Sequence, residues 1–292
     1  EVTGVLRADI AEQLGLNAGT IVVGGAGDNA AAAIGTGVCA EGRAFTTIGT
    51  SGVVFAHTPS VSIDPEGRVH TCCAAVPGEW HIMGVTQAAG LSLKWFRDNF
   101  CGAEKDTAAL MDVDEYYLMD KEAETVPIGA ERLLYLPYLM GERTPHLDPD
   151  ARGVFFGMSM DTSRADMTQA VLEGVAFALR DSLEVAKSLG IKIERTKICG
   201  GGAKSPLWKQ IIANVMNIKV DVLEVEEGPS LGGAMLAAVG CGVYPDVETA
   251  GKKLAKVVDT VEPTPELAAK YEERYQKFKE LYPAMKPLFK NL

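Results

Sequence analysis

The apolar positions change their spacing along the chain. Early runs at Thr20–Val23, Arg43–Ile48, Val53–His57 and Glu79–Gly84 are short, rich in β-branched residues and punctuated by glycine, the pattern of strands joined partly by hairpins. Helical spacing follows at Leu91–Phe100. Over Asp166–Leu189 it becomes long and uninterrupted, with Met167, Val171, Val175, Ala178 and Leu179 along one side. Thr196–Cys199 then predicts a buried strand, Gly200–Gly202 a turn, and Ser205–Ile218 a helix capped by Ser205 with Pro206 in its first turn. Lys219–Leu223 predicts a further strand, Glu227–Ser230 a turn and Leu231–Val239 a small-residue helix. Thr264–Tyr282 predicts a charged closing helix that docks through Leu267, Tyr271, Tyr275, Phe278 and Leu281. Hairpins first and strand–helix alternation afterwards give a mixed α/β domain.

No boundary divides the chain, and residues 1–292 are read as one domain. The acidic, aperiodic stretch 106–127 reads as an insertion or surface subdomain, and 264–292 as a terminal helix and tail.

Composition narrows the function classes. At 47% hydrophobic and 23% charged residues the chain has the make-up of a folded domain. Its apolar runs fall short of the ~18 residues that cross a bilayer, so no membrane partner is expected. The start, with Glu1, Asp9 and Glu12, lacks the basic flank and apolar core of a signal peptide, which points to the cytoplasm. Six cysteines, two of them adjacent at Cys72 and Cys73, match neither a disulfide framework nor zinc spacing and read as reduced thiols. A formal charge of −11 argues against nucleic acid as a partner. A phosphate-bearing small molecule stays open, because backbone amides hold such ligands locally.

Three glycine-rich turns could carry chemistry. Gly24-Gly25-Ala26-Gly27-Asp28-Asn29 follows the apolar Ile21–Val23 and opens an alanine-rich run, so Asp28 stands where strand becomes helix. Read locally, Asp28 is a helix cap. Gly25-x-Gly27-x-x-Ala30 also approaches the dinucleotide fingerprint, but the next strand ends in Thr46-Thr47-Ile48-Gly49 without the acid that would hold a ribose. A nicotinamide dehydrogenase is thereby the weaker enzyme reading. Gly49-Thr50-Ser51-Gly52 reads locally as a hairpin turn, and functionally as a loop whose amides and hydroxyls surround phosphate oxygens. Gly200-Gly201-Gly202-Ala203-Lys204-Ser205 spends three glycines in succession, which a closely approaching ligand explains better than a connector does. It lacks Walker A spacing, so a nucleoside face or an α-phosphate is the expected contact. The four histidines show no metal-binding spacing and no G-x-S-x-G elbow occurs; Glu142 and Arg143 read as a solvated or ion-paired loop.

Taken together, these segments resemble the second domain of the FGGY family of carbohydrate kinases. The pattern Gly153-Val154-Phe155-Phe156-Gly157-Met158, seven residues, then Asp166-Met167-Thr168-Gln169-Ala170-Val171-Leu172-Glu173 matches that family's second signature, and the similarity spans roughly residues 1–285. Gly141–His146 and Asp148–Gly153 are most similar to members that phosphorylate D-xylulose. The resemblance implies an actin-like ATPase (ribonuclease H-like) fold, a mixed sheet flanked by helices, with Mg-ATP in a cleft between two related domains. It implies that Asp28 is the general base and binds the sugar with Asn29, that Gly49, Thr50 and Ser51 face the terminal phosphates, and that Gly200, Gly201, Gly202 and Ala203 line the adenine site. It implies ATP and Mg2+ as cofactors, but no metal ligand among these residues. The implied reaction moves the γ-phosphate to the C5 hydroxyl of D-xylulose, giving D-xylulose 5-phosphate. The family's amino-terminal domain, with its phosphate loop and most sugar contacts, has no counterpart in these residues, so a missing domain is the expected partner and the chain alone is expected to be inactive. Another sugar or polyol as substrate, an inert ATP-binding domain and self-association into a homodimer stay open.

Overall fold

The structure, a computed structural model, describes residues 1–225 and 227–291. The strands are β1 (Val2–Val5), β2 (Ile21–Val23), β3 (Ala44–Ile48), β4 (Gly52–Thr58), β5 (His70–Cys73), β6 (Trp80–Thr86), β7 (Leu134–Leu136), β8 (Val154–Phe156), β9 (Arg195–Cys199), β10 (Lys219–Leu223) and β11 (Val257–Val261). The helices are α1 (Ala8–Leu14), α2 (Asp28–Gly35), α3 (Gly90–Phe100), α4 (Gly102–Met111), α5 (Glu115–Ala123), α6 (Arg164–Ser188), α7 (Pro206–Met216), α8 (Gly228–Gly240), α9 (Val247–Leu254) and α10 (Pro265–Phe289).

Seven strands form one mixed sheet in the order β11-β10-β9-β3-β4-β6-β5. β3, β9 and β10 run parallel and the flanking strands antiparallel, so hairpins and crossovers share a sheet as the sequence order predicts. β4 is buried along its whole length because both of its faces are covered. Its Val54 and Ala56 enter the core built on α6, while Val53 and Phe55 pack with Ala32 and Ala33 of α2 on the other side. β1 and β2 stand apart as a two-stranded antiparallel sheet with Val2, Val5, Ile21 and Val22 exposed.

α6 is held at its start by a capping box in which Ser163 and Asp166 bond each other's backbone amides. Its spacing predicts a one-sided apolar stripe. The helix is instead buried nearly all round, between the sheet, α7 and α10, and its polar residues find internal partners. Glu173 accepts from the Gly129 amide at 2.9 Å, Gln169 at 3.0 Å and the Tyr271 hydroxyl at 3.1 Å. Asp181 accepts from the Tyr275 hydroxyl at 2.6 Å.

Three boundaries depart from the expectation. Stretch 106–127 is helical rather than aperiodic, and Met119 and Ala123 of α5 lie in the main core; the apolar face of so short a helix is only two turns long and easily overlooked. α8 begins at Gly228, because Pro229 fits a first helical turn as well as the predicted β-turn. α10 continues through Pro283 to Phe289, where Phe289 is buried against the body.

α2 and α8 meet at backbone distance. A Cβ on Gly35 would overlap the Gly228 carbonyl, and one on Gly232 the Ala31 carbonyl, so only hydrogen fits at either place. Gly232→Ala is expected to lower unfolding stability by about 1–3 kcal/mol through overpacking. Gly233→Ala, whose Cβ meets open space one residue on, is expected to raise stability by about 0.5–1 kcal/mol. Urea denaturation of the two variants checks the contrast, and equal effects would mean that the helices do not touch.

Candidate nucleotide cleft and the Asp28 helix start

The turn between β3 and β4 is fixed by the strand register, which pairs Ile48 with Gly52 and leaves Gly49, Thr50 and Ser51 to make the reversal. Its carbonyls are anchored on the start of α3. The Gly90 amide donates to Gly49 O at 2.8 Å, and the Ala89 and Leu91 amides to Thr50 O at 3.0 and 3.2 Å. These bonds consume amides that a helix start leaves unpaired, so the turn is rigid and α3 holds it. The Thr50 side chain is exposed.

Opposite lies the turn after β9, and its glycines divide by role. Gly200 has φ of +89°, and a Cβ there would stand 2.7 Å from Ile48 O. A Cβ on Gly202 would stand 2.5 Å from Ile48 Cγ2. Both are therefore required by the protein's own packing. Gly201 differs: a Cβ there meets nothing within 4 Å. The expectation that a ligand explains all three glycines is corrected for Gly200 and Gly202, which packing alone requires. Ala203 is buried in the main core, and neither it nor Gly200 lines the cavity. Residues 201–204 form a 3-10 turn, then Ser205 caps α7 by accepting the Trp208 amide at 2.9 Å, as the sequence predicts.

Between the two turns opens a cleft of about 540 Å³. Gly49, Thr50, Gly201 and Gly202 line it together, so two of the three glycine-rich turns share one site. Its walls are Ile48, Leu91, Leu93 and Trp208 with Tyr116, Tyr117 and Asp120 from α5. The α5 contribution is missed by the sequence reading, although Asp114, which caps α5 by accepting the Tyr116 amide at 2.8 Å, is the signal that marks the helix start. Burial pushes the Asp120 carboxyl above the usual range, with hydrogen bonding from Ser205 drawing it back. A larger groove of about 1020 Å³ lies near Glu41, Lys192, Glu194 and Lys219, away from all three turns.

Asp28 and Asn29 stand outside this cleft, at the exposed start of α2. The capping expectation needs correction here. Gly27 occupies the N-cap, and Asp28 is the first helical residue, its Oδ1 accepting from the Asn29 amide at 2.8 Å and Asn29 Nδ2 at 3.2 Å. The dinucleotide alternative also fails structurally, since β2 pairs antiparallel with β1 while β3 lies in another sheet.

Glu142 is buried and, among the described residues, has no ion-pair partner, contrary to the local reading. It is 4% exposed, with Oε2 accepting from the Thr86 hydroxyl at 2.6 Å and Oε1 from the Gln87 and Arg143 amides at 3.1 and 2.7 Å. Burial pushes its carboxyl up to about 8 against these bonds, and pushes that of Asp181 up to about 7.

A mixed sheet carrying a nucleotide-sized cleft at two glycine turns defines an actin-like ATPase domain, the fold of its structural neighbours among the sugar kinases. Residues 44–241 match the model of the FGGY family of carbohydrate kinases, C-terminal domain, and the chain belongs to that family. It is 39% identical over 282 residues to the xylulose kinase of Lactococcus lactis, covering 96% of this chain and 54% of the relative. The solved xylulose kinase of Rhodospirillum rubrum superposes with a TM-score of 0.88 at 30% identity, over 99% of this chain and 56% of that one. The gluconate kinase of Lactobacillus acidophilus reaches the same 0.88 at 25% identity, over 98% and 56%. The chain thus spans about half the length of the relatives it matches. Thr50 and Gly201 fall inside the family match, while Asp28 and Asn29 precede it.

Two measurements follow from this geometry. Gly201→Val is expected to leave the melting temperature nearly unchanged, whereas Gly202→Val is expected to lower stability by about 1–3 kcal/mol or to prevent folding, because its side chain meets Ile48. Thermal unfolding of both decides whether the free position is 201. The second concerns pH. Glu142 and Asp181 have folded values above their ordinary ones, so the unfolded state gives up its protons first, and the stability they contribute is full below about 4 and falls as pH rises through about 8. Glu142→Gln mimics the protonated acid and is expected to match wild type near pH 5 and to melt about 2 °C or more higher near pH 8. A wild-type curve parallel to the variant's over that range would exclude a buried neutral Glu142.

Proposed function

We propose that this chain forms the ATP-binding half of a sugar kinase that transfers the γ-phosphate of ATP to D-xylulose. The observation that carries the reading is the single cleft shared by the Gly49–Thr50 and Gly201–Gly202 turns. Its volume and apolar walls suit a nucleoside, and the exposed Thr50 suits a phosphate tail. Gly201 lies against the adenosine in this reading, and Thr50 and its neighbour Ser51 face the terminal phosphates. Xylulose is favoured over gluconate by the higher sequence identity, since fold similarity to the two kinds of kinase is equal.

Asp28 is the general base of the proposed reaction. Its carboxylate is exposed and, among the described residues, bonded through Oδ1 to its neighbour Asn29, which leaves a second oxygen to take the proton of the attacking sugar hydroxyl while Asn29 contacts the sugar. Transfer passes through a loose transition state, so orientation and charge stabilisation supply most of the acceleration. Magnesium would accompany ATP in such a reaction and would offset the charge of its phosphates. Among the described residues no group of three or more His, Cys, Asp or Glu side chains is placed to hold a metal ion. The partner in this reading is the remaining half of the relatives' architecture, and the compartment is the cytoplasm.

The chain by itself is expected to give negligible transfer to D-xylulose, and turnover is expected once it is joined to the other half of a full-length relative. In that two-domain enzyme Asp28→Asn keeps size and polarity but cannot accept the proton, so a fall of about 10²-fold or more in kcat is expected with ATP affinity and melting temperature nearly unchanged. Near-normal turnover of Asp28→Asn on D-xylulose would remove the base assignment.

A further inference from the structure

Two carboxylates that phosphoryl transfer does not use line the cleft, and one of them, Asp114, is already committed to capping α5. Asp120, on the second turn of α5, is 8% exposed and lines the cleft beside Gly201, Gly202 and Ser205. Among the described residues it makes no ion pair, whereas Lys94 across the same cleft is engaged by Asp98 at 2.6 Å. The Ser205 oxygen already accepts the Trp208 amide, which frees its hydroxyl hydrogen for Asp120. A carboxylate accepts at about four sites, so one hydroxyl leaves most of its capacity unused. Burying an acceptor without donors is unfavourable, and such a group is most useful where a ligand completes it.

The rest of the wall explains what that ligand presents. Ile48, Leu91, Leu93 and Trp208, whose indole N–H is already committed to Leu172 O at 3.0 Å, give an apolar slot that takes a flat ring but cannot orient it through polar contacts of their own. An acceptor-only group set into such a slot selects a ligand that offers an N–H or O–H at that point. A purine nucleoside offers both, as an exocyclic amine on the base and as ribose hydroxyls.

We infer that Asp120 is a specificity-determining residue of the nucleotide cleft, accepting a hydrogen bond from a donor group of the bound nucleoside. The inference rests on the ATP-binding reading of this cleft. Ser205 is then a positioning residue, holding the carboxylate toward the ligand while it caps α7. In the free protein the Ser205 hydroxyl partly satisfies Asp120, and the nucleoside adds the missing donor on binding.

The test uses the two-domain enzyme and compares ATP with three analogues that each lack one donor: purine riboside triphosphate, 2′-deoxy-ATP and 3′-deoxy-ATP. Wild type is expected to bind one of the three about 10-fold more weakly than ATP, the cost of a lost bond to a charged acceptor, and the analogue affected tells whether base or ribose is read. In Asp120→Ala the KM for ATP is expected to rise to that analogue's level, so the ratio between the two collapses to about one, with the loss in KM rather than kcat. Asp120→Asn, nearly isosteric, retains an acceptor oxygen and is expected to fall between; it serves also if the alanine variant does not fold. Ratios unchanged in both variants, or equal losses with every nucleotide alongside a lowered melting temperature, would overturn the inference while leaving the kinase reading intact. Absence of ATP binding by wild type in titration calorimetry would overturn both.

Discussion

The candidate cleft depends on how closely three turns approach the last residue of β3. Ile48 accepts Gly200 against its carbonyl and Gly202 against its side chain, and the carbonyl of the next residue, Gly49, receives the Gly90 amide from the start of α3. Any side chain at these glycines would push the turns apart by more than close-packed neighbours can absorb. The hairpin turn and the β9–α7 turn are therefore set relative to one another before any ligand arrives. Rigidity of this kind lowers the ordering cost of binding, because under the proposed reading the amides for a phosphate tail need not be collected from a mobile loop.

The same contact explains why glycine runs mislead when read from sequence. Three glycines in a row at 200–202 look like one signal, but two serve the strand beside them and one faces open space. The distinction rests on φ and on the identity of a residue about 150 positions away, neither of which is visible locally. Elements whose cues are local were legible: Ser205 as a cap with Pro206 behind it, β10 at its stated ends, and the face of α10 through Tyr271, Tyr275, Phe278 and Leu281. The cues failed where burial overrides periodicity. α6 is enclosed on nearly every side, so its polar residues mark internal hydrogen bonds rather than solvent. Stretch 106–127 failed for the opposite reason, since two short helices leave too few turns for a period to emerge, and with them went the whole α5 wall of the cleft.

Glu142 shows a related limit. An acid followed by a base in a loop has the look of a solvated pair, yet its two oxygens are shared among one hydroxyl and two amides in a buried corner. Backbone donors leave no trace in the identity of the residues that carry them. A carboxyl held this way ties the β6 end to the loop that follows β7, and it does so best in its neutral form because burial outweighs the three bonds. The consequence is that Glu142 opposes stability as pH rises, whereas acids held by charged donors, such as Asp64 beside Arg68 and Asp98 beside Lys94, oppose it as pH falls.

Asp28 has the reverse character, and the contrast bears on the proposed chemistry. A base must be reachable by its substrate and must not be satisfied by the fold, and Asp28 meets both conditions: it is exposed, and among the described residues its hydrogen-bond partner is its sequence neighbour Asn29. Because Gly27, not Asp28, takes the N-cap position, the carboxylate is not committed to closing the helix and can be replaced at little structural cost. The rigidity it needs comes from behind, where α2 is clamped against α8 through Gly35 and Gly232 and cannot drift. In the proposed reaction, an exposed side chain on a helix fixed at backbone distance is a base on a stiff mount. The same close packing that makes Gly232 intolerant of a methyl group is thus what gives a freely solvated Asp28 a defined position.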